Sequence, residues 1–119
     1  MYWRTENKDW GNWHHKNAND VHLESCFKAI YNSNNIGARD IVTYDKNSSK
    51  DSITILGDSF MVGFGLNQNE TLPSNIEAFS NKKVFNLVSS GTGPLQYYLI
   101  YKKFGSELSH NTVIMGLLP

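Results

Sequence analysis

Three short apolar runs, separated by two helix-like segments, constrain the fold of this chain more than any other feature. The runs span residues 53–56, 84–88 and 112–118. Thr71 and Pro73 open the first intervening segment and Pro94 opens the second, as expected at helix starts. Strand–helix–strand–helix–strand order with apolar strands predicts an α/β fold, in which helices cover both faces of a parallel sheet.

The apolar residues of the two helical segments recur at helical spacing. In the first segment they are Leu72, Ile76 and Phe79, and in the second Leu95, Tyr98 and Leu99. We expect these two sets to face the sheet. Lys102 and Lys103 fall in the last turn of the second helix, where they complement the helix dipole.

The first half of the chain lacks this regular pattern. Residues 1–51 are polar and rich in Asn, Lys, Asp and Ser, and short strands are predicted only near 26–31 and 39–44. We interpret residues 1–51 as an N-terminal extension that packs on the core through its aromatic residues. Residues 52–119 then form the α/β part.

Composition excludes several classes of partner. Lys+Arg and Asp+Glu both number 11, so the chain has no basic excess for nucleic acid. No apolar run approaches bilayer length, and no apolar stretch typical of a signal peptide follows Met1. The single Cys26 cannot form an intrachain disulfide, and no Cys/His cluster has metal-ligand spacing. We therefore predict no nucleic acid, membrane span, metal or cofactor.

Two polar loops follow the first two strands and carry the candidate chemistry. The loops are Gly57–Phe60 and Ser89–Pro94. Because ligands bind at the carboxyl ends of parallel strands, we expect both loops to border one site. A serine at this edge lies where backbone N–H groups can face a developing oxyanion.

Segments of this sequence resemble those of the SGNH (GDSL-type) serine hydrolases. Ile55–Phe60 resembles the family's first sequence block and Asn86–Gln96 its second, although Val88 stands where related sequences often have glycine. Val113–Pro119 resembles the strand before the third block, and Gly37–Asp40 resembles a leader that precedes the first. The resemblance implies a flavodoxin-like α/β/α fold that ends here after its third strand.

The resemblance also implies roles for four residues. Ser59 would be the nucleophile, and its backbone N–H would form an oxyanion hole with that of Gly91. Gly57 and Asp58 would support the nucleophile. The implied substrate is an O-acyl ester of a small molecule or carbohydrate, cleaved by an esterase or moved by an acyltransferase.

Two further parts of such a site are absent from the 119 residues. The third-block asparagine and the Asp-x-x-His that supplies the general base do not occur. We expect His14, His15, His22 and His110 to be surface or capping residues instead. A serine without a base is a weak nucleophile, so we predict little esterase turnover by this chain alone.

Two alternatives remain at this point. The hydroxyl- and glycine-rich loop 89–93 is also typical of a flavodoxin-like phosphate or nucleotide binder. The chain is alternatively a non-catalytic interaction module. Whichever function holds, the apolar run 112–118 would be an edge strand of the sheet, and we predict that the chain self-associates through it.

Overall fold

The computed structural model describes residues 3–46 and 51–118. Residues 1, 2 and 47–50 of the predicted N-terminal extension and residue 119 of the predicted α/β part lie outside the described residues. The strands are β1 (Arg4–Asn7), β2 (Gly11–His14), β3 (Asn19–Leu23), β4 (Lys28–Asn32), β5 (Ser52–Leu56), β6 (Lys83–Asn86) and β7 (Thr112–Met115). The α-helices are α1 (Ser59–Val62), α2 (Leu72–Ser80) and α3 (Pro94–Lys103), with 3₁₀ turns at Gln68–Glu70 and Gly105–Glu107.

The second half contains the predicted parallel sheet. Its strand order is β6-β5-β7, and both pairings are parallel. Ile53 of β5 pairs with Val84 of β6 on one side and with Thr112 of β7 on the other. The second and third strands of this sheet end earlier than predicted. Strand β6 ends at Asn86 and not at residue 88, and β7 ends at Met115 and not at residue 118. The molecule is therefore a mixed α/β structure with β5 at its centre.

Alternate side chains of the sheet enter two apolar clusters, as expected for a sheet buried on both faces. On one face Ile55 and Val84 join Val62 and Ile76 from the side of α1 and α2. On the other face Leu56 and Phe85 join α3 and the N-terminal half, through the residues Trp13, Ala38, Tyr44, Tyr97 and Ile100. The core thus includes side chains from both halves of the chain.

The predicted apolar faces of the two helices are only partly correct. Ile76 packs against the sheet, but Phe79 is 90% exposed, since α2 lies against the outer strand β6 and buries only a narrow stripe. In α3 the buried residues are Tyr97 and Ile100, and the predicted Leu95 and Tyr98 are both exposed. Apolar residues surround this helix on several sides, so its sequence does not determine which side is buried.

The N-terminal half is more regular than predicted. It forms two antiparallel hairpins, one from β1 and β2 and one from β3 and β4. The strand predicted near 26–31 is present as Lys28–Asn32, whereas residues 39–44 form turns and not a strand. Polar side chains hold this turn segment: the Tyr44 hydroxyl donates to the Asp40 carboxylate (2.7 Å) and accepts from the Asn86 N–H (3.0 Å).

Strand β7 is an edge of the parallel sheet within the described residues. It pairs with β5 alone, and Val113 and Met115 are 44% and 47% exposed. Unpaired backbone groups beside exposed apolar side chains are a template for pairing with another chain. We therefore expect self-association through 112–118, detectable by light scattering after size exclusion. A Val113→Lys variant should shift the chain towards monomer, and a wild-type chain that stays monomeric at high concentration would contradict the prediction.

A buried histidine connects the first hairpin to the following loops. The His14 ring stacks on Trp3 with centroids 4.0 Å apart, and its Nδ1 lies 2.7 Å from the Gly37 carbonyl. Burial lowers the pKa of His14 from 6.5 to about 4, because the charged ring would lose its hydration. His14 is therefore neutral in the folded protein at neutral pH, and Nδ1 carries the proton donated to Gly37.

This buried ring predicts acid sensitivity. Between pH 6.5 and about 4 the unfolded chain protonates His14 and the folded chain does not, so stability falls as pH falls through this window. Across the whole of this window, the loss in the free energy of unfolding is roughly 3 kcal/mol. Urea unfolding of wild type and His14→Gln at several pH values measures it. The variant should have the flatter profile, whereas His15→Gln, at an exposed neighbour, should keep the wild-type slope.

Candidate active site

The candidate nucleophile lies directly after the central strand. Ser59 is the first residue of α1, and the side chain of Asp58 caps this turn by accepting from the Phe60 N–H (3.1 Å). Gly57 does not have a positive φ, so backbone conformation is not the reason for a glycine there. A Cβ on Gly57 would clash with Cβ and Cγ of Met61, and close packing therefore favours the glycine.

The second candidate residue lies on the loop after the neighbouring strand. Gly91 has φ +71°, a left-handed conformation that favours glycine. A Cβ there would also lie 2.6 Å from the Asn12 side-chain nitrogen. Backbone conformation and a close neighbour thus both favour glycine at this position.

Ser59 and Gly91 border the same pocket. Its volume is about 670 Å³, and its wall consists of Arg4, Ser59, Phe60, Gly63, Phe64, Leu66, Ser90 and Gly91. The adjacency follows from the topology, because β5 and β6 are neighbours and both loops leave the same edge of the sheet. The pocket is large enough for a small ligand.

The backbone N–H groups of Ser59 and Gly91 have no hydrogen-bond acceptor within residues 3–46 and 51–118. The Ser59 hydroxyl also makes no hydrogen bond to any residue in these ranges. Two unused N–H donors beside a free hydroxyl are what an attacking serine and an oxyanion hole need. A base is the part that this arrangement does not supply.

The first hairpin forms part of the pocket wall, which the sequence did not indicate. Asn12 of β2 donates to the Ser90 carbonyl (3.1 Å), and its own carbonyl accepts from the Ser89 hydroxyl (2.8 Å). Arg4 of β1 donates more weakly to the same Ser90 carbonyl, at 3.4 Å. The N-terminal half therefore holds the loop of Gly91 in place.

A buried arginine holds the opposite wall. The Arg39 side chain is fully buried, and its Nη1 donates to the carbonyls of Val62 (2.7 Å) and Gly63 (2.8 Å), while Nη2 donates to that of Leu66. Its guanidinium also lies 4.3 Å from the Tyr31 ring centre. Burial lowers the pKa of Arg39 to about 10, which leaves it charged at neutral pH. Arg39 thus fixes the segment that follows α1.

None of the four histidines lines the pocket. The expectation of surface or capping roles is wrong for His14 and His22, which are buried. Nδ1 of His22 lies 2.8 Å from the Tyr31 hydroxyl, and its Nε2 lies 3.1 Å from the Glu24 carboxylate. His110 contacts the Tyr101 hydroxyl and the Leu108 carbonyl, both at 2.7 Å. The structure therefore places no histidine beside Ser59.

Two of the three hydroxyl groups of loop 89–93, those of Ser89 and Thr92, are engaged by the protein, whereas the Ser90 hydroxyl makes no hydrogen bond within residues 3–46 and 51–118. Ser89 donates to Asn12, and Thr92 donates to the Ser89 carbonyl at 2.7 Å. The Gly93 N–H donates to the Gln96 side chain at 2.9 Å. The Ser89, Thr92 and Gly93 donors are therefore not free for phosphate oxygens, which leaves this loop fewer donors for an anion than its sequence suggests.

Comparisons with known proteins leave the family open. No protein-family model matches the chain, and no curated protein matches it either. Among the described residues, no three His, Cys, Asp or Glu side chains are grouped so as to hold a metal ion. In the same part of the chain, none of the helices has both the length and the apolar character needed to cross a membrane.

Proposed function

We propose that this chain carries the nucleophile and part of the oxyanion hole of an SGNH-type serine hydrolase or acyltransferase acting on O-acyl esters. The observation that carries the proposal is the shared pocket of Ser59 and Gly91, where the hydroxyl and both N–H groups are unengaged. The β6-β5-β7 order, with the candidate nucleophile after the central strand, agrees with the flavodoxin-like arrangement that the resemblance implies.

The proposed reaction follows from these groups. Ser59 Oγ attacks the ester carbonyl carbon, and its proton passes to a base. The carbonyl oxygen becomes an oxyanion that accepts from the N–H groups of Ser59 and Gly91. The intermediate collapses, the C–O bond to the alcohol breaks, and the alcohol leaves with a proton. Water or a second alcohol then takes the acyl group from Ser59.

The described residues place no histidine in the pocket wall, and the sequence contains no Asp-x-x-His that would supply the base. A serine of ordinary pKa reacts slowly without one, so both acylation and release of the acyl group should be slow here. A strongly activated ester needs the least help, because its leaving group departs as a stable anion. Such an ester is therefore the right probe for Ser59 in this chain.

Acyl capture tests the proposal. Incubation with 4-nitrophenyl acetate should acetylate Ser59, because the slow second step lets the acetyl-serine accumulate. Peptide mass spectrometry after brief digestion locates the acetyl group. Ser59→Ala should lose that adduct, whereas Ser106→Ala, at an exposed serine after α3, should keep it. Acetylation confined to lysines or spread over many serines would contradict the proposal.

A further inference from the structure

Among the residues that the structure describes, one charged side chain lines the candidate pocket. Its wall is otherwise made of three large apolar residues, two glycines and two serines, the apolar ones being Phe60, Phe64 and Leu66. The charged residue is Arg4, which comes from β1 and is partly buried. A partly exposed guanidinium beside a candidate nucleophile can pair with a bound anion.

Arg4 has little within the protein to occupy its donors. It makes no ion pair within residues 3–46 and 51–118, and it bonds a single carbonyl, that of Ser90, through Nη2 at 3.4 Å. A guanidinium has five N–H donors. Most of the Arg4 donors therefore remain available to a ligand in the pocket.

Arg39 provides a comparison within the same chain. Arg39 is fully buried and donates to carbonyls of the segment after α1, so its donors serve the fold. Arg4 lies in the wall of the pocket and makes one long hydrogen bond, to the Ser90 carbonyl. The two arginines therefore have different roles, and only Arg4 can meet a ligand.

We infer that Arg4 recognises a carboxylate on the substrate, so that the preferred ester is one that also carries an acid group. This inference rests on the proposed function and specifies its substrate class. A single positive charge in the wall matches a monoanion, and the planar fork of arginine pairs with both oxygens of a carboxylate. The carboxylate lies either on the acyl group or on the alcohol, as in an acylated sugar acid.

Binding of small probes to the intact 119-residue chain shows whether the recognised carboxylate belongs to the acyl group or to the alcohol. The measurement does not require turnover. One matched pair of probes is monomethyl succinate and methyl butyrate, which differ by a carboxylate on the acyl side. The other is methyl glucuronide and methyl glucoside, which differ by a carboxylate on the alcohol side. Chemical shifts of the Gly91 amide and the Arg4 Nε–H report binding at the pocket.

In at least one pair the acid should bind about tenfold or more tightly than its neutral partner, and Arg4→Gln should abolish that preference. Arg4→Lys should retain part of it. Lys8→Gln removes one charge from the exposed turn of the same hairpin and should change nothing. Thermal melting checks that the variants remain folded.

The outcomes separate the two proposals. Equal binding of acid and neutral probes in both pairs, or unchanged acid preference in Arg4→Gln, would overturn the role of Arg4. Ser59→Ala should bind the acids as wild type does, because the hydroxyl is not part of the carboxylate contact. Absence of acetylation at Ser59 with acid binding intact would overturn the hydrolase proposal and leave the role of Arg4 standing.

Discussion

Replacing Ser59 with alanine is expected to abolish the ester hydrolysis that this chain adds to the reaction of imidazole in solution. Imidazole is small enough to enter the 670 Å³ pocket and can take the proton from the Ser59 hydroxyl. A positioned general base typically accelerates a reaction by about 10²–10⁴-fold. Free imidazole is not held in position, so its effect should lie below this range, and the rate that wild type adds to the reaction of imidazole in solution should be absent in Ser59→Ala.

The assay must separate this effect from hydrolysis by imidazole in solution. Imidazole attacks activated esters itself, and Ser59→Ala at equal concentration measures that background together with any contribution of the protein surface. Ser106→Ala should retain the wild-type rate, since that serine is exposed and lies after α3. Robust Ser59-dependent turnover without imidazole would contradict the expected lack of a base and show that a group of the chain serves Ser59. Equal rates in wild type and Ser59→Ala would refute Ser59 as nucleophile.

The sequence predicted that the loops of Ser59 and Gly91 border one site, because this proximity follows from the apolar runs that form the two preceding strands. Apolar runs indicated β5 and β6, and two parallel neighbours necessarily bring their following loops to one edge of the sheet. The cap of α2 was equally predictable, since the Thr71 side chain accepts from the Ser74 N–H at 3.4 Å. Each of these features is encoded within a few residues of where it acts.

The contribution of the N-terminal half could not be predicted in the same way. Arg4 and Asn12 contact Ser90 across 86 and 78 positions of the chain, and no periodicity signals contacts of that range. The β1–β2 and β3–β4 hairpins consist largely of polar residues, so alternation did not reveal them. Burial of Arg39 also opposes the general tendency of arginine to be exposed. Its only signal was the resemblance of Gly37–Asp40 to a family leader.

Arg39 is expected to be the most important single residue for the stability of the segment after α1. Arg39→Met keeps much of the apolar stem but removes the guanidinium from the carbonyls of Val62, Gly63 and Leu66. Each buried carbonyl left without a donor costs roughly 1–3 kcal/mol. The Gly63 carbonyl still accepts from the Leu66 N–H (3.0 Å), so the carbonyls of Val62 and Leu66 are the two left without a donor, and their loss should lower the free energy of unfolding by about 3 kcal/mol, a large part of the total for a small domain.

An opposing effect must be weighed against this loss. Removing a buried charge also removes the cost of its lost hydration. The pKa of Arg39, which burial lowers, reflects that cost. Replacing buried charges by apolar groups is neutral or stabilising where both partners are replaced. Here the partners are backbone carbonyls that stay in place, so the loss of hydrogen bonds should dominate and Arg39→Met should be destabilising.

Urea unfolding of a series of variants measures the effect. Arg39→Lys retains the charge but has only one nitrogen, so it should fall between wild type and Arg39→Met. Lys46→Met removes a positive charge whose side chain is 72% exposed and should change stability by less than about 0.5 kcal/mol. Because Gly63 and Leu66 line the pocket, Arg39→Met at temperatures where it remains folded should also slow acetylation of Ser59. An Arg39→Met variant as stable as Lys46→Met would show that water satisfies these carbonyls and that the segment does not depend on the guanidinium.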